Sequence, residues 1–227
     1  MSNDQIWTKI QINFTINLSA TELTIAKNRG EKMSRLYFKY GTMGSSKSAQ
    51  ALMCQFNYEQ KGMKVMLVKP SLDNRGDNGE QPMVRSRIGL ASPCETIAPT
   101  ESFYDLFDKF STENGRCDCV IVDEAQFCTT EQVNQLKQLT QKVPVLCYGL
   151  MVDFRCQLFE GSKRLVELAD SLQEIKSVCR CGRKSTVNAR FINGKCVDDG
   201  PVVFIGGDES YENMCYWCWQ EELHKNK

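Results

Sequence analysis

The chain has 227 residues, with Lys+Arg and Asp+Glu each at 28 and a formal net charge of zero. It shows no basic footprint of a duplex nucleic-acid binder and no apolar run long enough to span a membrane, and its first residues do not read as a secretory leader. A cytoplasmic protein is expected, in which most of the twelve cysteines are reduced thiols and Cys54, Cys119 and Cys147, in apolar surroundings, are small core residues.

Residues 1–32 read unlike the rest. Gln11 to Leu18 alternates like a weak strand and Thr21 to Lys27 suits a short helix, but no turn signal ties them to the first strong strand at Leu36. The segment reads as an appended extension, with an extra edge strand as the alternative. From Met33 the chain becomes legible.

The organising stretch is LYFKYGTMGSSKS, Leu36 to Ser48. An apolar, aromatic strand runs into Gly41, Thr42, Met43, Gly44, Ser45, Ser46, Lys47 and Ser48, and a helical pattern continues to Gln60, with Gly62 as its C-cap. Strand, Gly-containing loop, Lys-Ser and helix is the order that cradles phosphates with backbone N–H groups. Lys47 can reach the β- and γ-phosphates of a nucleotide, and the Ser48 hydroxyl can ligate Mg²⁺. The sixth position of the G-x-x-x-x-G-K-[ST] pattern is Ser46, where glycine normally supplies a positive φ or close backbone approach.

Lys64 to Val68 is a buried-type strand stopped by Pro70, and Ser71 to Pro82 is a loop. Asp73 and Arg75 in that loop are solvated charges or, for Arg75, a reach toward phosphate. Val84 to Ile97 has no clear period, and Thr100 to Phe110 suits an amphipathic helix. Cys119 to Val122 is a second strong strand, and it ends in Asp123-Glu124-Ala125-Gln126-Phe127. An acid at a strand's C-terminal end can hold Mg²⁺ through water, here Asp123, with Glu124 placed to act as a base. Thr129 to Gln141 reads as a helix capped by Thr129 or Thr130. Val143 to Leu150 reads as a strand, Met151 to Phe159 as a loop, and Ser162 to Leu172 as a helix with Leu165, Leu168 and Ala169 inward. This alternation implies an α/β fold with a parallel sheet flanked by helices. Its ligands would sit beyond the carboxyl ends of the strands.

The last fifth carries Cys179-x-Cys181 and Cys215-x-x-Cys218. Two close pairs separated by a loop form a structural zinc signature with no open position. Cys196, between the pairs, is a bystander. Arg180, Arg183, Lys184 and Arg190 make a local basic stretch, so a zinc-ribbon nucleic-acid module is the alternative class, which the neutral net charge disfavours.

These blocks, in this order, resemble the type II, zinc-containing thymidine kinases, the cellular and bacterial kind. The resemblance runs from about Ser34 to Trp219 and rests on LYFKYGTMGSSKS, SRIGL, VIVDEAQF, PVLCYGL, LFEGS, LADSLQEIKSVCRCGRKS and VVFIGG with the closing cysteine pair. It implies three parts: the extension at 1–32, a P-loop domain at 33–176, and a zinc lobe with a lasso loop at 177–227. It implies transfer of the ATP γ-phosphate to the 5′-hydroxyl of thymidine, and of deoxyuridine, in pyrimidine salvage. On this reading Gly41 to Ser48, Asp73, Arg75, Asp123 and Gln126 serve ATP-Mg²⁺, and Glu124 is the catalytic base. Met43, Phe127, Leu150 and Phe154 line the base pocket. Phe204, Ile205, Gly206 and Gly207 form the lasso, which Tyr211 braces; Cys179, Cys181, Cys215 and Cys218 hold Zn²⁺. A homotetramer, feedback inhibition by thymidine triphosphate, and no nucleic-acid or membrane partner are also implied. Two positions depart from the family pattern: Ser46, and Cys218 where close bacterial relatives often carry histidine, an equivalent zinc ligand.

Overall fold

The computed structural model describes residues 34–72, 81–200 and 211–225. The expectations for 1–32 lie outside these residues, as do Asp73, Arg75 and Phe204 to Gly207. Strand β1 (Leu36–Tyr40) leads through the Gly-Ser loop into helix α1 (Lys47–Glu59). Strand β2 (Val65–Pro70) comes next, then three short strands, β3 (Met83–Arg85), β4 (Ala91–Pro93) and β5 (Glu95–Ile97). Helix α2 (Phe103–Asn114) precedes β6 (Cys119–Val122), and helix α3 (Thr130–Leu139) precedes β7 (Val145–Gly149). Helix α4 (Glu160–Leu168) then leads to β8 (Ser171–Glu174).

Among the described residues, six strands form one sheet in the order β5-β2-β6-β7-β1-β8, every pairing parallel. Alternate residues divide it between two cores. Leu36, Phe38, Met66, Val68, Val120, Val122, Val145 and Cys147 pack against Phe103, Phe107, Leu136 and Leu165 from α2, α3 and α4. Val65, Leu67, Cys119, Ile121, Leu146 and Tyr148 face the other way, onto Ala51, Leu52 and Cys54 of α1. Burial on both faces explains why the strands read as continuous apolar runs.

Several boundaries differ from the sequence expectation, each for a local reason. β2 continues to Pro70 because beyond Val68 it has only β5 beside it, so the missing N–H breaks no ladder on the β6 side. The aperiodic stretch from Val84 resolves into a β3–β4 hairpin and the edge strand β5, elements too short to show a period. Helix α2 starts at Phe103, because the Ser102 side chain caps it by accepting from the Tyr104 N–H, and ends at left-handed Gly115. Thr129 and Gln132 form a reciprocal capping box at the start of α3. The expected helix to Leu172 stops at Leu168. Asp170 then accepts from the Leu36 N–H at 2.7 Å, and the chain turns into β8, a polar edge strand without an apolar signature.

The C-terminal strands form a separate antiparallel sheet, β10-β9-β11, from β9 (Val187–Ile192), β10 (Lys195–Val197) and β11 (Tyr211–Met214). Asn193 and Gly194 both have positive φ, 51° and 75°, and close the β9–β10 hairpin. Helix α5 (Tyr216–His224) packs Trp219 and Leu223 onto Val187, Ala189, Cys196 and Met214. Cys196 is thus a core residue of this lobe. Among the described residues no helix is long and apolar enough to cross a membrane.

Candidate functional site

The carboxyl ends of β1, β7 and β6 lie side by side, and the loops leaving them build the site. The Gly41 N–H donates to the Gly149 carbonyl at 3.3 Å, tying the first loop to the end of β7. A Cβ on Gly41 would fall 2.4 Å from the Ile175 carbonyl oxygen and 2.5 Å from Ser45 Oγ, so only glycine fits there. The loop curls around the Thr42 carbonyl, which accepts from the Ser45 N–H at 3.2 Å and from the buried Lys47 ammonium at 2.8 Å. A cation folded over a ring of backbone groups at a helix N-terminus suits a polyphosphate.

Ser46 is the N-cap of α1 and has φ 68° and ψ 25°, a left-handed backbone with no side-chain capping bond. The position therefore demands the conformation for which glycine is suited, and the exposed serine adopts it. Ser46→Gly is expected to raise the melting temperature by about 2 °C, the middle of the ranges that follow, without loss of activity. Relief of the left-handed serine is worth roughly 1–2 kcal/mol. The more flexible unfolded glycine chain offsets about 0.4–1 kcal/mol of this, and each kcal/mol moves the midpoint about 2–4 °C at this size. Thermal denaturation checks this; a lower midpoint would show that the serine side chain holds the loop.

At the end of β6, Asp123 is buried beside Ser48 and Lys47. Burial pushes its carboxyl up to about 7 and the adjacent Glu124 carboxylate adds to the rise, while the Ser48 hydroxyl and Lys47 ammonium offset part of it. Asp123 Oδ1 is buried without a hydrogen-bond partner, as is Ser45 Oγ in the facing loop. An orphaned carboxylate oxygen beside a serine hydroxyl and a helix N-terminus fits a nucleotide-bound Mg²⁺.

Glu124 has φ 51°, a second left-handed non-glycine residue, and caps a 3₁₀ turn over Ala125–Phe127. Gln126 donates to Glu124 Oε2 at 2.5 Å and accepts from the Leu150 N–H at 3.0 Å. Gly161 lets α4 seat against the turn: a Cβ there would come within 2.7 Å of the Ala125 carbonyl oxygen and 2.9 Å of that of Gln126. Ser162 Oγ donates to the Leu150 carbonyl at 2.5 Å.

The expected pocket residues come from several elements. Met43 and Phe127 are half-buried, and Leu150 is buried at the end of β7. Phe127 packs edge-on against Phe159, with centroids 5.7 Å apart. Phe154 is buried, with the Arg190 and Arg155 guanidinium groups 4.9 and 5.5 Å from its centroid. Tyr211 opens β11, opposite Arg190. Sequence reasoning did not single out Asp153 or Asn188. Asp153 orders the loop after β7, accepting from the Arg155 and Gln157 N–H groups, both at 2.9 Å. Asn188, on β9, accepts from the Met43 N–H at 2.7 Å and donates to the Val152 carbonyl at 3.3 Å. It thereby joins the C-terminal lobe to the phosphate-type loop. A polar amide inside the short strand VNARFI, beside Val187 and Ala189, was its one signal.

The four cysteines of the tail converge. The Sγ atoms of Cys179, Cys181, Cys215 and Cys218 lie within 4.8 Å of one another, with Cys181 and Cys215 3.6 Å apart. Gly182, at φ 83°, turns the first pair: its N–H donates to the Cys179 carbonyl at 2.8 Å. Cys215 is the N-cap of α5 and Cys218 lies in its first turn. The Cys218 N–H and neighbouring thiols donate to Cys215 and lower its thiol to about 7; Cys218, hydrogen-bonded to Cys181 and Cys215, is pushed up to about 12. Such a set can hold a metal ion. Tetrahedral Zn²⁺ at about 2.3 Å from each sulfur needs S–S separations near 3.8 Å, a spacing this cluster can meet.

A family model described as thymidine kinase matches residues 34–219. The chain is 42% identical over 186 residues to a protein named thymidine kinase from Legionella pneumophila, covering 81% of this chain and 88% of that one. It is 40% identical over 186 residues to the protein of the same name from Shewanella oneidensis, covering 81% and 95% of the two chains. For that from Zymomonas mobilis, identity is 40% over 195 residues, covering 85% and 99%.

Proposed function

This chain belongs to the thymidine kinase family, and from that premise we propose that it transfers the γ-phosphate of ATP to the 5′-hydroxyl of thymidine, and also of deoxyuridine. The observation that carries the reading is the convergence at the carboxyl end of the sheet of a Lys47–Ser48 helix start, a buried Asp123 and a Glu124 held by Gln126.

The roles follow from the chemistry of each group. The backbone of Gly41 to Ser46 wraps the phosphates, and Lys47 offsets charge on the β- and γ-phosphates. Ser48 and Asp123 would hold the Mg²⁺ that accompanies ATP, which when bound would supply positive charge against the phosphate oxygens. Glu124 accepts the proton of the 5′-hydroxyl as the oxygen attacks phosphorus. Asp73 and Arg75 complete the phosphate side in this proposal. Met43, Phe127, Leu150 and Phe154 supply apolar walls for the pyrimidine. Phe204 to Gly207 close over its edge, and Tyr211 braces that loop.

The division into an extension at 1–32, a P-loop domain at 33–176 and a metal lobe at 177–227 belongs to the same proposal. In it the four cysteines hold structural Zn²⁺, which supplies rigidity and no chemistry. Family membership is the support for a cytoplasmic homotetramer inhibited by thymidine triphosphate at the substrate site. The binding half of the reading is tested by calorimetric titration of nucleosides. Thymidine and deoxyuridine are expected to bind, with deoxycytidine and deoxyguanosine at least about tenfold weaker. Equal affinity for all four would remove thymidine as the acceptor.

A further inference from the structure

We propose that Gln126 is a positioning residue for Glu124, locking the base to the pocket wall at Leu150 through one buried side-chain amide. This rests on the reading of Glu124 as the base. Gln126 is only 2% exposed. Its two contacts fix which way the amide points, because a backbone N–H can only donate and an ionised carboxylate can only accept. The Leu150 N–H, at 3.0 Å, claims the oxygen, so the nitrogen must face Glu124 Oε2, at 2.5 Å. One carboxylate oxygen of the base is thereby tied, through Gln126, to the backbone at Leu150.

The need for such a lock comes from the backbone. Glu124 sits in a left-handed conformation at the head of a single 3₁₀ turn, outside any strand or longer helix. A side chain on so short an element takes its direction from its bonds, and Gln126 supplies one of them at 2.5 Å. The amide itself has no room to move: a Cβ on Gly149 would stand 2.8 Å from Gln126 Oε1 and 3.1 Å from its backbone nitrogen. Gly161 closes the other side of the turn, within 2.6 Å of the Cys128 carbonyl oxygen if it carried a Cβ. The nucleoside pocket and the base thus share one amide, so a ring resting on Leu150 finds the carboxylate at a set distance. Misplacement of a reacting group by about 1 Å can lower rate about 10²-fold.

The test is a double-mutant cycle with Gln126→Met, which keeps length and bulk but makes neither hydrogen bond, and Glu124→Gln. In the wild-type background Gln126→Met is expected to lower kcat about 10²-fold, with the calorimetric Kd for thymidine changed less than about threefold. In the Glu124→Gln background, read by single-turnover transfer, the same substitution is expected to change the residual rate less than about threefold. Gln126→Glu, which keeps the acceptor for Leu150 but loses the donor, should fall with Gln126→Met. An equal loss in both backgrounds would make Gln126 a general structural support and overturn the proposal, as would full kcat in Gln126→Met or Gln126→Glu. Full turnover in Glu124→Gln alone would remove the base itself, and the proposal with it, an outcome separable from the others.

Discussion

Replacing Glu124 by glutamine is expected to lower kcat about 10²–10⁴-fold while thymidine affinity stays within about threefold, the range for loss of a general base. The substitution is isosteric, and glutamine can remain hydrogen-bonded to Gln126 in the buried corner beneath Leu150. What disappears is the capacity to take a proton from the 5′-hydroxyl. Asp123 is not expected to substitute: it is buried on the Ser48 and Lys47 side, where the proposal assigns its carboxylate to the nucleotide-bound cation. Steady-state kinetics with a parallel thymidine titration checks the split. A kcat within about threefold of wild type would exclude Glu124 as the base.

The second large effect is expected at Cys215. Cys215→Ser should abolish tight metal binding, lower the melting temperature by about 10 °C and weaken thymidine binding. Serine is a good N-cap, so α5 keeps its start, and the loss isolates the thiolate. A ligand bound at about a thousand times its Kd adds roughly 4 kcal/mol to stability, which at about 2–4 °C per kcal/mol gives the stated shift. Thymidine affinity should drop with it, because β11, which leads into Cys215, starts at Tyr211, and Asn188 of the adjoining β9 holds the Met43 N–H. Elemental analysis and thermal denaturation of both proteins check this. Unchanged metal content in Cys215→Ser would show that these thiols are not the ligands.

The parts of the fold read correctly from the sequence are those whose signal is local. β1, β6 and β7 announce themselves as apolar runs because both faces are buried. The Cys pairs announce themselves by spacing, since a tetrahedral thiolate site needs short turns such as that at Gly182. β8 escaped because an exposed edge strand, Ser171 to Glu174, needs no apolar residues and comes only two residues after the helix. The role of Ser46 was legible only as a departure from glycine; the left-handed backbone it accepts is a property of the loop. Asp153 and Asn188 escaped because their partners are backbone groups distant in sequence or set by loop shape, which no periodicity records. The left-handed Glu124 and its lock by Gln126 depend likewise on β7 lying beside β6, with Leu150 at its end.

The most direct test is phosphate transfer from γ-labelled ATP with Mg²⁺ to thymidine, with deoxyuridine, deoxycytidine and deoxyguanosine as parallel acceptors. The predicted result is labelled 5′-monophosphate from thymidine and deoxyuridine, with little or none from the other two. Absence of transfer to thymidine by folded, metal-replete protein would contradict the account.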